Sequence, residues 1–313
     1  MTELEKIKQF LNNKPGYKKE GLNRFKKVLI KKGFKINNIS DIDLRYLLNP
    51  NIKSLISPKR LFFDIETSYN IVRSWRIGYN ININHDDIIH ERAIICAAWK
   101  WEGEDKVHYI SWNNGCDKNV VSKLIEVLGQ ATEVVGHNIE RYDTSFILTR
   151  AIKHGILALP KYTQTDTLKM AKYKFNFNSN KLDYIANFLG LGTKYKHSGM
   201  SMWNKIIDYD LFKTGTKNDR DLALNEMIHY NIIDVTLTEE VYHRLKLYTN
   251  PNTHHGVLND RPKFTCPHDG STNVQLVKTI VTASGSIKRL MKCNDCGQQF
   301  IISNRTYIKY LKN

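Results

Sequence analysis

Apolar positions along the chain follow three successive patterns. Over residues 1–57 they recur at helical spacing: Leu4, Ile7, Phe10 and Leu11, then Leu22, Phe25, Val28 and Leu29, then Leu44, Leu47 and Leu48. Thr2 with Glu5 has the spacing of a capping box, Gly33 stops the second stretch, and Ser40 with Asp43 opens the third. Lys26, Lys27, Lys31 and Lys32 crowd the polar face of the second. The pattern predicts a small basic helical segment, either a nucleic-acid-binding module or a cap on a larger domain. From Arg60 the pattern shortens. Leu61-Phe62-Phe63, the runs 92–99 and 107–112, and the short run 133–136 read as strands, with a polar turn at 102–105 making a hairpin. Residues 120–128, 166–174, 180–189 and 225–247 read as mostly helical. Strands and helices in this order predict an α/β domain over 58–250, a mixed sheet flanked by helices. Over 251–313 the runs 274–283 and 286–290 predict a hairpin turning at Ser284-Gly285, a small β module.

Charge sharpens this division. The net +16 is carried by the flanks: residues 1–60 hold 15 Lys+Arg against 5 Asp+Glu, and residues 256–313 hold 9 against 3. The middle is neutral. Basic flanks around a centre with acidic chemistry suit a polyanionic partner held by the flanks while the centre acts on it. No apolar run approaches bilayer length and the first residues are too polar for a signal peptide, so no membrane association and a cytoplasmic location are expected. Of five cysteines, three follow residue 265, two of them as Cys-x-x-Cys, a metal pattern rather than a disulfide framework. Cys96 and Cys116 suggest no role.

Asp64 and Glu66 end the first strand two residues apart, so both point to one side, and two anions aimed at one spot call for a cation between them. Tyr230 and Asp234 are four apart and share a helix face. Tyr69, Trp75 and Tyr79, in the irregular stretch 68–90, are either stacking surfaces beside the site or core.

Three motifs in order, Phe63-Asp64-Ile65-Glu66-Thr67, Gly136-His137-Asn138 to Tyr142-Asp143, and Tyr230 to Asp234, resemble those of the DEDD superfamily of 3'-5' exonucleases. The resemblance covers roughly residues 60–250 and is strongest to the tyrosine-bearing branch, which includes the proofreading domain of family B DNA polymerases. Segments at 166–168, 179–182 and 189–191 are similar to connecting segments of such domains. It implies a ribonuclease H-like fold and two Mg²⁺ or Mn²⁺ ions. Asp64 would bridge both, Glu66 and Asp234 would complete the one that binds the attacking water, and Asp143 would hold the second. Tyr230 would orient the nucleophile, and Asn138 and Thr67 would meet substrate. DNA is the favoured substrate and RNA the alternative, because the same site attacks either backbone; a noncatalytic nucleic-acid-binding protein is the reading from a different class. A separate DNA polymerase or replication protein becomes a candidate partner. His229 stands five residues before Asp234, where the sister branch has a histidine, but Asn231 replaces the alanine that accompanies it, and Tyr230 is favoured.

The segments 263–271 and 293–297 resemble the two knuckles of a zinc ribbon. Cys266, His268, Cys293 and Cys296 are the expected ligands of one structural Zn²⁺, with Asp269, standing where the first knuckle would have its second cysteine, or His255 as substitutes for His268.

Overall fold

The computed structural model describes residues 3–14, 16–17, 22–36, 44, 47–48, 59–78, 80–156, 160–192, 197–259 and 261–312. Thr2 of the expected capping box, Ser40 and Asp43 at the start of the expected third helix, and Tyr79 lie outside the described residues. The chain divides into two compact units, Lys59–Asn252, and Met1–Pro58 together with Thr253–Asn313. Among the described residues no helix is long and apolar enough to cross a membrane.

In the N-terminal segment, α1 (Glu3–Asn13) and α2 (Leu22–Lys31) bury Ile7 and Leu11 against Phe25, Leu29 and Leu44. Gly33, at φ 83°, ends α2, and Phe34 N–H returns to Leu29 O at 3.0 Å. Lys27, Lys31 and Lys32 stay exposed.

The larger unit runs β1 (Arg60–Thr67), β2 (Ile71–Val72), β3 (Ile88–His90), β4 (Ile94–Trp101), β5 (His108–Ser111), α3 (Lys118–Gln130), β6 (Glu133–Gly136), α4 (Asp143–Lys153), β7 (Thr163–Asp166), α5 (Thr167–Lys174), α6 (Leu182–Phe188), α7 (Met200–Phe212) and α8 (Lys217–Leu245). Its sheet has the order β5-β4-β1-β6-β7. β4 pairs antiparallel with β1 and β5, whereas β6 runs parallel to β1 and β7. This is the mixed sheet flanked by helices that the pattern predicts, with β1 at its centre.

Strand β1 is buried on both faces, and its period of two sorts the side chains. Leu61, Phe63 and Ile65 join the main core with Val120, Leu124 and Leu128 of α3. Phe62 faces the other way, packing with Ala98, Val135 and, from α8, Val235 and Tyr242. Asp64 and Glu66 continue the Phe62 side and therefore face α8. At the opposite end of that row Arg60, 4% exposed, donates from Nε and Nη2 to Glu133 at 3.0 and 2.8 Å and from Nη1 to Glu102 at 2.5 Å. Its guanidinium lies 4.9 Å from the Tyr242 ring centre. Lys100 of β4 binds Glu239 of α8 at 2.5 Å. The helix is thus clamped across the strands that carry the first two carboxylates.

Around the site, β7 and the start of α8 differ from expectation. The stretch read as helix from residue 166 is preceded by strand β7, whose residues Thr163-Gln164-Thr165-Asp166 carry no apolar alternation because β7 is the edge strand. Helix α8 starts eight residues earlier than the apolar pattern suggested, at Lys217, capped by Thr216, which accepts from Asp219 N–H at 3.1 Å.

Beyond it lie α9 (His255–Leu258), β8 (Val274–Val281), β9 (Ile287–Cys293), β10 (Gln299–Ser303) and α10 (Asn304–Tyr310). The expected hairpin is present and acquires a third antiparallel strand, in the order β10-β9-β8, around a small core of Phe264, Val274, Met291, Phe300 and Ile302.

Candidate active site

Asp64 and Glu66 from β1 and Asp234 from α8 converge, each offering an oxygen such that all three lie within 4.8 Å of one another. Three carboxylates this close repel unless protons or cations are held among them, and an all-oxygen donor set fits a hard divalent ion. Asp234 is 5% exposed, so little water screens the repulsion. Tyr230, one turn before Asp234, is buried beside them, while its neighbour His229 is exposed on the helix surface. Burial first, then the charges of Asp234, Glu66 and Asp64 and the hydrogen bond to Asp234, push the Tyr230 phenol far above its ordinary range. Its ring meets that of His197 edge-on, centres 4.8 Å apart.

Asn231 is a site residue that motif reading passes over. Fully buried, it donates from Nδ2 to Asp64 Oδ2 at 2.6 Å. The signal available was a carboxamide on the helix stripe that packs on β1, where an apolar residue would be ordinary.

Asp143 begins α4 and lines the same cavity, but it is not one of the three converging carboxylates. It is 4% exposed and accepts from Ile65 N–H at 3.3 Å. Burial, with the charge of Asp166 added, pushes its carboxyl up to about 7.

The loop between β6 and α4 is held from below. At Gly136 a Cβ would come within 2.8 Å of Ile139, so the turn out of β6 needs glycine. Asn138 takes the left-handed conformation, φ 68°, that asparagine tolerates better than most residues. Asp166, which caps α5 by accepting from Leu168 N–H at 2.9 Å, also accepts from Asn138 N–H at 2.9 Å. His137 is fixed between Thr167 Oγ1 at 2.9 Å and Asn180 O at 3.0 Å. The resulting cavity, about 770 Å³, is lined by Asp64, Glu66, Asn138, Tyr142, Asp143, Tyr230 and Asp234, with the exposed Lys172 and Lys181 on its wall. Thr67 is not among its lining residues; its hydroxyl is 2.8 Å from that of Tyr142, which is. Tyr69 bonds Asn204 and Trp75 is fully exposed.

Residues 81–246 match the model of the RNase_H superfamily. The chain belongs to the RNase H superfamily. An RNase H-like domain is a nuclease fold whose chemistry uses divalent metal and whose substrate is nucleic acid. In this superfamily member Asp143, Tyr230 and Asp234 lie within the matched segment, and Asp64 and Glu66 lie before it. Among solved structures, it is similar to the family B DNA polymerase from the hyperthermophilic archaeon Pyrobaculum calidifontis, at 14% identity and a TM-score of 0.44, over 61% of this chain and 25% of the polymerase chain. No match was found among curated proteins.

A second cluster lies in the C-terminal segment. The ligand atoms of Cys266, Asp269, Cys293 and Cys296 lie within 4.8 Å of one another. His268, the expected fourth ligand, is outside this group, as is His255. The reason is the tight turn: Gly270 N–H bonds Cys266 O at 2.8 Å and Cys266 N–H bonds Ser271 O at 2.9 Å, so the residue three after Cys266 turns back to meet it. That residue is Asp269, in the register of a Cys-x-x-Cys knuckle. Burial raises the Asp269 carboxyl, but hydrogen bonds from Ser271 N–H and the three thiols outweigh it and hold it below its ordinary value. Burial pushes the Cys266 thiol well up and Cys296 to about 11. Three sulfurs and one carboxylate are a donor set compatible with a tetrahedral divalent metal.

Proposed function

We propose that this chain is a metal-dependent 3'-5' exonuclease that hydrolyses phosphodiester bonds of DNA and releases nucleoside monophosphates. The observation that carries this reading is the convergence of Asp64, Glu66 and Asp234 beside a protonated Tyr230, in a cavity that also holds Asp143. Direction and preference for DNA follow from the resemblance of the three motifs to those of proofreading domains, as does a separate DNA polymerase or replication protein as partner.

Asp64, Glu66, Asp143 and Asp234 would hold two Mg²⁺ or Mn²⁺ ions, which when bound neutralise charge at the scissile phosphate and activate water. Asn231 fixes the rotamer of Asp64 by its hydrogen bond. Tyr230, whose phenol burial and the neighbouring carboxylates push up in the metal-free site, would orient the nucleophile. Lys172 and Lys181 supply positive charge to the cavity wall. Cys266, Asp269, Cys293 and Cys296 would hold one structural Zn²⁺ that fixes the β8–β10 module.

The test is degradation of matched 5'-labelled DNA and RNA single strands with Mg²⁺ or Mn²⁺, beside EDTA, Asp64→Ala and Asp234→Ala. The expected result is a ladder shortening from the 3' end, faster on DNA and absent in all three controls. A faster RNA ladder would reassign the substrate. Binding with no metal-dependent ladder on either strand would replace the enzyme with a nucleic-acid-binding protein.

A further inference from the structure

A second cavity, about 540 Å³, shares Tyr142 with the carboxylate cavity. Its walls carry Arg92, Arg141, Arg150 and Lys153 against a single carboxylate, Glu91. The charge of Arg150 is already taken, since its Nε and Nη2 donate to buried Asp117 at 2.7 Å each. Arg92, Arg141 and Lys153 are exposed, and no ion pair joins them to a carboxylate among the described residues. The groove therefore carries a net excess of about two positive charges. It also has an aromatic face: Phe146 stacks on Tyr142, ring centres 6.0 Å apart and planes 6° from parallel, and the Arg92 guanidinium lies 5.3 Å from the Phe146 ring centre. Unneutralised cations beside the carboxylate cavity are what the phosphates of a single strand require, and the Tyr142–Phe146 stack joins the two cavities.

We propose that this groove is a subsite for single-stranded nucleic acid, holding the backbone phosphates of nucleotides adjoining the one in the carboxylate cavity. The inference rests on the exonuclease reading above. It makes Arg141 and Lys153 determinants of affinity for strands longer than the terminal nucleotide, with no part in the bond-breaking step.

The experiment compares the full chain with Arg141→Glu/Lys153→Glu and with Lys106→Glu/Lys161→Glu, a pair of exposed lysines at the Arg60 end of the sheet. Fluorescence anisotropy with a labelled 12-nucleotide single-stranded DNA, in Ca²⁺ and over a salt series, gives affinity and its salt slope. Turnover in Mn²⁺ is followed on the same strand and on p-nitrophenyl thymidine 5'-monophosphate, which reaches the carboxylate cavity alone. Expected for the Arg141/Lys153 pair is at least tenfold weaker binding and a salt slope shallower by about 1.4, from roughly 0.7 per lost phosphate contact. Its KM for the strand rises at least tenfold and its turnover of the small ester stays within twofold, while the Lys106/Lys161 pair changes neither. Unchanged affinity and slope in the first pair, an equal loss in the second, or an equal loss on the small ester would overturn the subsite. If the unaltered chain cleaves neither substrate yet binding still depends on Arg141 and Lys153, the exonuclease reading falls, and with it the link to a terminal nucleotide, leaving a single-strand-binding groove.

Discussion

Replacing Asp143 with asparagine should stabilise the metal-free protein, increasingly so as pH rises. The side chain is 4% exposed and burial pushes its carboxyl from 3.8 to about 7. Between those values the folded chain holds a proton that the unfolded chain has released, so the folded state binds more protons and stability falls as pH rises. Above pH 7 the full cost applies: about three pH units at 1.36 kcal/mol each, or about 4 kcal/mol. Asparagine is nearly isosteric, keeps an oxygen to accept from Ile65 N–H, and cannot ionise. Urea unfolding of both proteins in EDTA should show a stability gap in favour of Asp143→Asn that widens by about 3 kcal/mol between pH 4.5 and pH 8. Excess Mn²⁺ at pH 8 should close much of that gap by stabilising the unaltered protein. A gap that does not vary with pH, or a variant less stable at pH 8, would refute the claim that Asp143 is a desolvated anion awaiting a cation.

Three further outcomes follow from the same structure. Asp269→Cys converts the C-terminal cluster to four thiols in knuckle register and should tighten Zn²⁺ retention at least tenfold in chelator competition; weaker retention would mean that Asp269 is not a ligand position. Arg150→Met leaves Asp117, fully buried, without its bidentate partner, and urea unfolding should show a loss of about 3–5 kcal/mol. That loss should shrink as pH falls, because Arg150 among others holds the Asp117 carboxyl below its ordinary value despite burial, a contribution that acid removes. Asn231→Leu removes the donor to Asp64 and should lower kcat at least tenfold with little change in KM, and weaken Mn²⁺ binding in calorimetry; an unaltered kcat would demote Asn231 to packing.

The sequence speaks most clearly where apolar runs are long and chemistry sits at their ends. β1 was legible as a buried strand whose alternation puts Asp64 and Glu66 on one side, and the late helix was legible from its apolar pattern over 225–247, which sets Tyr230 and Asp234 one turn apart on one face. β7 was not, since an edge strand of threonine, glutamine and aspartate has no apolar signal. Helix α7 was missed as well, its mixed surface giving no simple stripe. Asn231 and Asp166 matter through what they bond across the fold, to Asp64 and to Asn138, and contacts between residues far apart in sequence leave no local periodicity. At the cysteine cluster the sequence offers both His268 and Asp269 beside the three thiols, and it is the turn after Cys266 that brings Asp269 rather than His268 within 4.8 Å of them.

The separation of the acidic residues along the chain also bears on when their cluster can first assemble during synthesis. The five strands of the central sheet are complete at Asp166, and by then Asp64, Glu66 and Asp143 have all been made. The third member of the converging triad, together with Tyr230 and Asn231, arrives only with α8, which must span the sheet from Asp234 to the Glu239 and Tyr242 clamps before its carboxylate is fixed. A nascent chain with most of its fold already assembled therefore lacks the third of the converging carboxylates. The order of synthesis thus makes α8 the element whose docking completes the acidic cluster, and a chain truncated before it should bind no divalent ion there however much of its sheet has formed.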